Sequence, residues 1–222
     1  YLRNLPVKVS VSELKKRSWH GENDREEALF SEPDIVPLVP DFVSGGNEEY
    51  KGAARGTAYH RLMECLDYMS VDSESQIHKQ ITALTEAKKM AYEEAQCIRI
   101  QDIMTFLHSE IGQRMKKAFE ADQLYREQPF VLAQSMKNIE KDWNGEETVL
   151  VQGIIDAYFI EDEEIVLVDY KTDRVRKGEE QHLIDLYHTQ LEDYAQALER
   201  MLQKKVKETY IYSFALGKMI PV

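Results

Sequence analysis

Two aspartates and a lysine are the strongest chemical signal in this sequence, because each lies in or directly after a run suited to a buried strand. Asp156 lies within GIIDAYF, while Asp169 and Lys171 follow EIVLV. A charge in such a place is costly unless it is paired or bound to a metal ion. Carboxylates on neighbouring strands bind a hard divalent cation such as Mg²⁺ or Mn²⁺. The lysine can orient or deprotonate a metal-bound water, or offset charge that builds on a phosphoryl group under attack.

Two helical segments add polar residues at a spacing of four, which places each pair on one helix face. His60 is a candidate nitrogen ligand, and its partner Glu64 either supports it, binds a second metal or is a solvated surface residue. Gln190 and Tyr194 suit contacts with phosphate or sugar, or support of the metal ligands. Packing is the alternative role for this second pair.

A short basic stretch follows the second aspartate. Lys171, Arg174, Arg176 and Lys177 are opposed by Asp173 alone. The stretch can hold a phosphate backbone locally, or it is a solvated loop. The whole chain is acidic, with 28 basic and 40 acidic residues and a net charge of −12. That balance argues against binding nucleic acid through bulk charge, although it leaves room for a nuclease that works through metal ions.

Composition limits the class of protein. The chain has 222 residues, 43% of them hydrophobic and 31% charged, which is typical of one large or two small globular domains. No apolar run approaches the roughly 18 residues of a membrane-spanning helix. The two cysteines, Cys65 and Cys97, are too few for a four-thiolate zinc site or an iron–sulfur cluster, and they fit a reducing, cytosolic setting. Because the chain opens without Met, we interpret it as part of a longer protein.

Periodicity and turn residues predict the elements that position these groups. Before residue 56 we expect a short capped helix at 10–16 and a connector broken by Pro33, Pro37 and Pro40. Gly56-Thr57 is expected to open a helix that runs to about Met69, with Thr57 as its N-cap. The later elements are three or four helices in 73–122, strands near 129–133, 148–160 and 164–170, a helix at 179–205, a strand at 208–215 and a short returning arm at 216–222.

This order predicts an α/β fold, a small mixed sheet flanked by helices with a helical insertion before the strands. The dipeptide Asn144-Gly145 predicts a hairpin turn. Residues 161–163 are expected to turn the chain so that the next two strands are antiparallel neighbours. On the first of them, alternation places Leu150, Gln152, Ile154, Asp156 and Tyr158 on one face.

Four motifs carry a resemblance to a known family. They are GTAYHRLME at 56–64, GIID at 153–156, VDYKTD at 168–173 and QLEDY at 190–194. In this order they resemble the RecB-type branch of the PD-(D/E)XK nuclease superfamily, over residues 56–215. The segments SVSELKK and YIYSFALGK are similar to the nuclease domains of AddA-type bacterial helicase–nucleases.

The resemblance implies a restriction-endonuclease-like core and a set of roles. Residues 1–55 would be a connector or N-terminal arm, and 56–222 the nuclease domain, including the insertion at 73–122. The metal would be Mg²⁺, with Mn²⁺ as an alternative, and there would be no iron–sulfur cluster, unlike AddB and CRISPR adaptation nucleases. The implied metal ligands are His60, Asp156, Asp169 and the Tyr170 backbone carbonyl. The implied catalytic residues are Lys171, Asp156 and Asp169, and the implied accessory or DNA-contacting residues are Gln190, Tyr194, Glu64, Arg174 and Arg176.

The implied activity is that of a Mg²⁺-dependent DNA exonuclease domain within an ATP-dependent 3′-to-5′ helicase–nuclease. Such an enzyme processes double-strand DNA ends for recombinational repair and hydrolyses unwound single strands. Its partners would be single-stranded DNA ends, an AddB-type partner protein and the helicase portion of the parent chain, with no membrane. The chain has no glycine-rich phosphate-binding loop, so that motor would lie outside it. The location would be the bacterial cytoplasm, at the nucleoid during repair.

Two other functions remain open from the residues. One is a non-catalytic module that keeps a nuclease fold to guide DNA or contact a partner protein. The other is a metal-dependent phosphohydrolase that acts on small molecules. Glu127, in REQPF, either approaches the site or lies on an edge strand, and it is left outside the predicted set.

Overall fold

A mixed β-sheet forms the centre of the structure, a computed structural model that describes residues 8–10, 48–139 and 145–222. The strands are β1 (Lys8–Ser10), β2 (Leu124–Ser135), β3 (Thr148–Glu161), β4 (Glu164–Lys171), β5 (Val206–Ser213) and β6 (Lys218–Pro221). The helices are α1 (Glu48–Cys65), α2 (Glu74–Glu86), α3 (Tyr92–Gln96), α4 (Ile100–His108), α5 (Glu110–Glu120), α6 (Met136–Ile139) and α7 (Glu180–Leu202). None of these helices is long and apolar enough to cross a membrane.

Strand β3 organises the sheet because it pairs with three other strands. It is antiparallel to β2 along most of its length and antiparallel to β4 near its end, while β1 pairs with it in parallel near its start. The β3–β4 turn uses Asp162 and Glu163, both at positive φ, as two-residue hairpins require. Helix α7 then crosses over to β5, which is parallel to β4, and β6 completes the sheet antiparallel to β5.

The two faces of the sheet have separate cores. Helices α1 to α5 cover one face, where Leu62 and Phe106 belong to the same buried core as Phe159 of β3. Helix α7 covers the other, where Leu183 and Leu191 pack with sheet residues. The predicted α/β fold, a small mixed sheet between helices, is therefore confirmed.

The insertion at 73–122 consists of four helices, α2 to α5, where the apolar spacing predicted three or four. Helix α5 packs tightly against the end of α4 through Gly112, since a Cβ there would lie 2.1 Å from the Phe106 carbonyl oxygen. The absence of a side chain at this glycine therefore permits the close contact between the two helices.

The boundaries predicted for the first helix are wrong. Helix α1 begins at Glu48 and ends at Cys65, so it starts well before Gly56 and stops before Met69. Thr57 lies inside it, and its hydroxyl donates to the Ala53 carbonyl oxygen at 3.1 Å instead of capping an N-terminus. The proposed boundary between residues 55 and 56 thus falls within α1.

Other strand ends differ by a few residues, and some predictions lie outside the described residues. Strand β2 is longer than the predicted 129–133, and β5 begins and ends two residues before the predicted 208–215. Ser10 ends β1, which pairs with β3. The rest of the helix predicted at 10–16, the three prolines of the connector and Asn144 of the predicted turn are outside the described ranges.

Candidate metal centre and active site

The alternation of β2 and β3 is interrupted where Glu127 lies opposite Asp156. The residue pairs on either side keep one register, but these two are not paired, and Glu127 has a φ of 49°. Before the interruption Ile155 contributes to the α7-side core, and after it Phe159 contributes to the opposite core. The alternation of side chains therefore shifts by one residue here, so that odd-numbered residues of β3 face opposite sides of the sheet before and after this point. Local irregularities of this kind redirect side chains.

Because of this shift, the prediction that alternate residues of β3 from Leu150 to Tyr158 share one face is wrong. Leu150 and Ile154 are 39% and 52% exposed, whereas Tyr158 is 4% exposed and lies in the α7-side core. Asp156, between them in sequence, is buried and turned toward α1. Simple alternation cannot place these residues on one face because the strand changes its facing at Asp156.

Asp156 is held by a backbone donor and by a histidine. Its Oδ2 accepts the Tyr170 backbone N–H at 2.8 Å, and its Oδ1 lies 3.3 Å from Nδ1 of His60. Burial opposes ionisation of this carboxyl, but His60, the charge of Lys171 and the Tyr170 N–H together outweigh it and keep the pKa of Asp156 below its ordinary value.

His60 faces oxygen with both ring nitrogens. Its Nε2 lies 3.1 Å from the Tyr170 carbonyl oxygen, the backbone group predicted to complete a metal shell. Burial lowers the pKa of His60, yet Asp156 more than compensates and the pKa is raised. Only the imidazolium form donates to both oxygens, so a cation that takes one nitrogen must displace a proton.

Asp169 and Lys171 form a buried ion pair at the end of β4. Lys171 Nζ lies 2.6 Å from Asp169 Oδ2, with side chains 11% and 1% exposed. Among the described residues nothing makes a well-aligned hydrogen bond to this oxygen. Burial raises the pKa of Asp169 to about 6 and the charge of Asp156 adds to the effect, although Lys171 opposes it. Burial also disfavours the ammonium, but the two aspartates raise the pKa of Lys171.

Glu127 joins this cluster, although it was not among the predicted site residues. One ligand atom from each of Glu127, His60 and Asp156 lies within 4.8 Å of the others. Burial and then the charge of Asp156 raise the pKa of Glu127 to about 7. The one sequence signal was three successive polar residues, Arg126 to Gln128, in a segment otherwise suited to a strand.

The donor set fits a hard divalent cation. The carboxylates of Glu127 and Asp156, the His60 imidazole and the Tyr170 carbonyl gather at one place, and the Asp169–Lys171 pair interacts with Asp156 through its charges. Three carboxylates therefore share one ammonium. Two of the carboxyls have raised pKa values, and Asp169 Oδ2 lacks a well-aligned donor among the described residues. Oxygen-rich sites of this kind suit Mg²⁺ or Mn²⁺.

The predicted accessory residues divide into two groups. Gln190 Nε2 donates to Asp169 Oδ1 at 3.4 Å and to the Tyr194 hydroxyl at 2.9 Å, so α7 reaches a predicted ligand. Tyr194 is buried, with its ring against Phe130. Glu64 instead pairs with Arg61 on the surface of α1.

An open groove of about 600 Å³ adjoins the cluster. The first half of α1 forms one side, and the segment after β4 forms the other. Gly56 of α1 leaves room for Thr172, whose Oγ1 would lie 3.4 Å from an added Cβ. Exposed Arg174 lines the groove, whereas Arg176 is exposed and does not line it. The lining residues that reach the cluster are His60, Tyr170 and Lys171.

Comparisons with known proteins agree with the motifs. The model of the PD-(D/E)XK nuclease superfamily matches residues 39–218. A protein of Alkaliphilus metalliredigens, named as an ATP-dependent helicase/nuclease subunit, is 40% identical over 95% of this chain and 17% of its own length. Its namesake in Clostridium perfringens is 34% identical over 99% of this chain and 18% of its own length.

This chain therefore spans less than a fifth of the length of these relatives. A solved structure, the crystal structure of SSO0001, is 12% identical and aligns with 80% of this chain and 77% of its own, with a TM-score of 0.33. A superposition that loose does not establish a shared fold.

Proposed function

Because this chain belongs to the PD-(D/E)XK nuclease superfamily, we propose that it hydrolyses DNA phosphodiesters with a divalent ion, Mg²⁺ or alternatively Mn²⁺. The observation that carries the proposal is the convergence of a histidine from α1 and two aspartates from paired strands beside Lys171. His60, Asp156, Asp169 and the Tyr170 carbonyl would hold the ion, with Glu127 as a further oxygen donor.

Each residue would have a distinct part in the reaction. When bound, the ion supplies a Lewis acid for a phosphoryl oxygen and lowers the pKa of bound water. Lys171 lies next to the ligands, where its ammonium can stabilise charge on the phosphate or orient the attacking water. The Tyr170 N–H fixes the Asp156 carboxylate, and Gln190 does the same for Asp169.

The substrate would be single-stranded DNA that enters along the groove. Thr172 and Arg174 line it beside Lys171, where they can meet backbone phosphates. The net charge of −12 gives little general attraction for DNA. We therefore expect the chain alone to bind and cleave DNA weakly, with a strong requirement for the ion.

We also propose the kind of longer protein to which this chain belongs. The relatives are named as parts of ATP-dependent helicase/nucleases and are more than five times as long as the matched region. We propose that this chain is the nuclease part of such a protein, an exonuclease at double-strand ends in recombinational repair. The ATP-driven helicase part and an AddB-type partner would supply unwound strands, in the cytoplasm of a bacterium and at its nucleoid.

Labelled single- and double-stranded oligonucleotides test the proposal. Wild type with Mg²⁺ should shorten the single strand, and both chelator and Asp169→Ala should stop cleavage. A side-by-side assay with mononucleotides should give no phosphate release. Cleavage that persists in chelator or in Asp169→Ala would refute the mechanism. Absence of divalent-ion binding would favour a non-catalytic module, and preference for mononucleotides would favour a small-molecule phosphohydrolase.

A further inference from the structure

The Lys171 ammonium contacts an aromatic ring as well as a carboxylate. Its Nζ lies 4.1 Å from the centre of the Tyr187 ring and 2.6 Å from Asp169 Oδ2. A cation this close to the face of a ring is attracted by the ring's electron density, and the attraction grows when water is excluded. Lys171 thus has two neighbours of different chemistry.

Contacts hold both the ring and the hydroxyl group of Tyr187. It lies on α7, is 6% exposed and packs in the α7-side core. Its hydroxyl donates toward both oxygens of Asp173, each at 3.0 Å. Asp173 follows Lys171 by two residues, so the contact ties the helix to the segment that leaves β4.

We propose that Tyr187 is a positioning residue for the proposed nuclease reaction, because its ring keeps the Lys171 ammonium in place when Asp169 engages a cation. The proposal rests on the proposed function. A carboxylate shared with a divalent ion attracts the ammonium less, since the ion offsets its charge. The ring still attracts it, and unlike a second carboxylate it neither cancels the ammonium charge nor competes for the ion.

A second possibility is that Tyr187 only fills space in the core. The two roles differ in what a change to phenylalanine does. Tyr187→Phe keeps the ring beneath the ammonium and loses the bond to Asp173. Tyr187→Leu keeps an apolar side chain and removes the ring. Positioning therefore predicts a large difference between these variants, whereas packing alone predicts changes that follow stability.

Nuclear magnetic resonance of ¹³C-labelled lysine tests the contact without any reaction. The Cε–Hε signal of Lys171, assigned by its loss in Lys171→Met, should be shifted upfield by the ring in wild type and in Tyr187→Phe. In Tyr187→Leu the signal should return to the range of the other lysines. An unshifted wild-type signal, or no change in the leucine variant, would overturn the proposal.

Kinetics test the consequence. Tyr187→Leu should lower kcat about ten-fold and leave KM within about two-fold, whereas Tyr187→Phe should stay within about three-fold of wild type. Leu198→Ala is the matched control, since Leu198 is buried on the same helix away from the site. It should lower Tm without lowering kcat at a temperature where it is folded. Equal losses in the phenylalanine and leucine variants would contradict the proposed role of the ring.

The two readouts separate this inference from the proposed function. If neither wild type nor any variant cleaves DNA, the proposed function is refuted. The lysine spectrum still reports whether the ring holds the ammonium. If wild type cleaves DNA and Tyr187→Leu cleaves equally well, the function stands and the positioning role is refuted.

Discussion

The β3–β4 hairpin has a cluster of charges at each end, and the two clusters differ in how their carboxylates are paired. At the turn, Arg114 contacts Glu161 at 2.7 Å and Glu208 at 2.6 Å, and Lys207 adds a bond to Glu161 at 2.8 Å. Each of these two carboxylates has a basic partner. At the other end, three carboxylates share one lysine and one histidine, and no described residue gives Asp169 Oδ2 an aligned donor.

The carboxyl pKa values express this difference. Bonds from Arg114 lower the pKa of Glu161 to about 2, against the effect of burial. Burial and neighbouring negative charge raise the pKa of Asp169 to about 6 and that of Glu127 to about 7. A network that neutralises itself is structural, whereas one that retains excess negative charge in a buried place is suited to a cation from solution.

The largest expected effect is the loss of activity when the lysine of the open end, Lys171, is removed, and the lysine of the turn provides the control. Lys171→Met should lower kcat by about 10²–10⁴-fold, because it removes the ammonium beside the reacting phosphate. Lys207→Met removes a lysine of the turn cluster and should keep kcat within about two-fold. Both are measured on a single-stranded oligonucleotide with Mg²⁺. Equal losses would show that the clusters do not differ in function.

Divalent-ion binding gives the second contrast. Saturating Mn²⁺ should raise the Tm of wild type, since a ligand at 100 times its Kd stabilises the folded state by about 2.7 kcal/mol. Asp156→Asn should lose this rise, and Glu161→Gln should keep it in full. Differential scanning calorimetry with and without the ion measures both. A full rise in Asp156→Asn would remove Asp156 from the ligand set.

The smallest expected effect is on the free energy of unfolding, which two glutamine variants should change in opposite directions. The pKa of Glu127 is above its ordinary value, so without metal its ionisation destabilises the fold as pH rises from about 4.5 to 7. The pKa of Glu161 is below its ordinary value, so its contribution is present above about pH 4.5 and is lost as pH falls toward 2.

At pH 8 in chelator, urea unfolding should therefore find Glu127→Gln more stable than wild type. Glu161→Gln should be less stable, and each difference should be about 1 kcal/mol after solvent screening. Near pH 4 the Glu127→Gln difference should vanish, while most of the Glu161→Gln difference should remain. Destabilisation by Glu127→Gln at pH 8 would mean that Glu127 is already neutralised without an ion.

Local spacing explains what the sequence could predict. Asp169 and Lys171 are two apart on a strand, so their common facing follows from the pleat, and the 2.6 Å ion pair confirms it. The four helices of the insertion likewise follow from apolar spacing. These features depend on neighbours in the chain, which a single sequence contains.

The features that the sequence could not predict depend on tertiary contacts. Glu127 reaches the cluster because its backbone adopts a positive φ where two strands lose their pairing. Helix α1 continues through Gly52 and Gly56, which propensity alone treats as breaks. Tyr187, three residues before Gln190, matters through a lysine on another element. The site residues taken from the family motifs remain predictions.

Arg126 gives the insertion a mechanical role that its own residues do not suggest. Its guanidinium donates to the carbonyl oxygens of Met63 at 3.3 Å and Leu66 at 2.7 Å, and it lies over the ring of Phe119 in α5. The arginine adjacent to Glu127 therefore binds the C-terminal end of the helix that carries His60, and the insertion packs against that arginine. A shortened nuclease engineered without residues 73–122 would keep every proposed ligand and the Arg126 bonds to α1, yet it would lose the Phe119 ring that packs against this guanidinium.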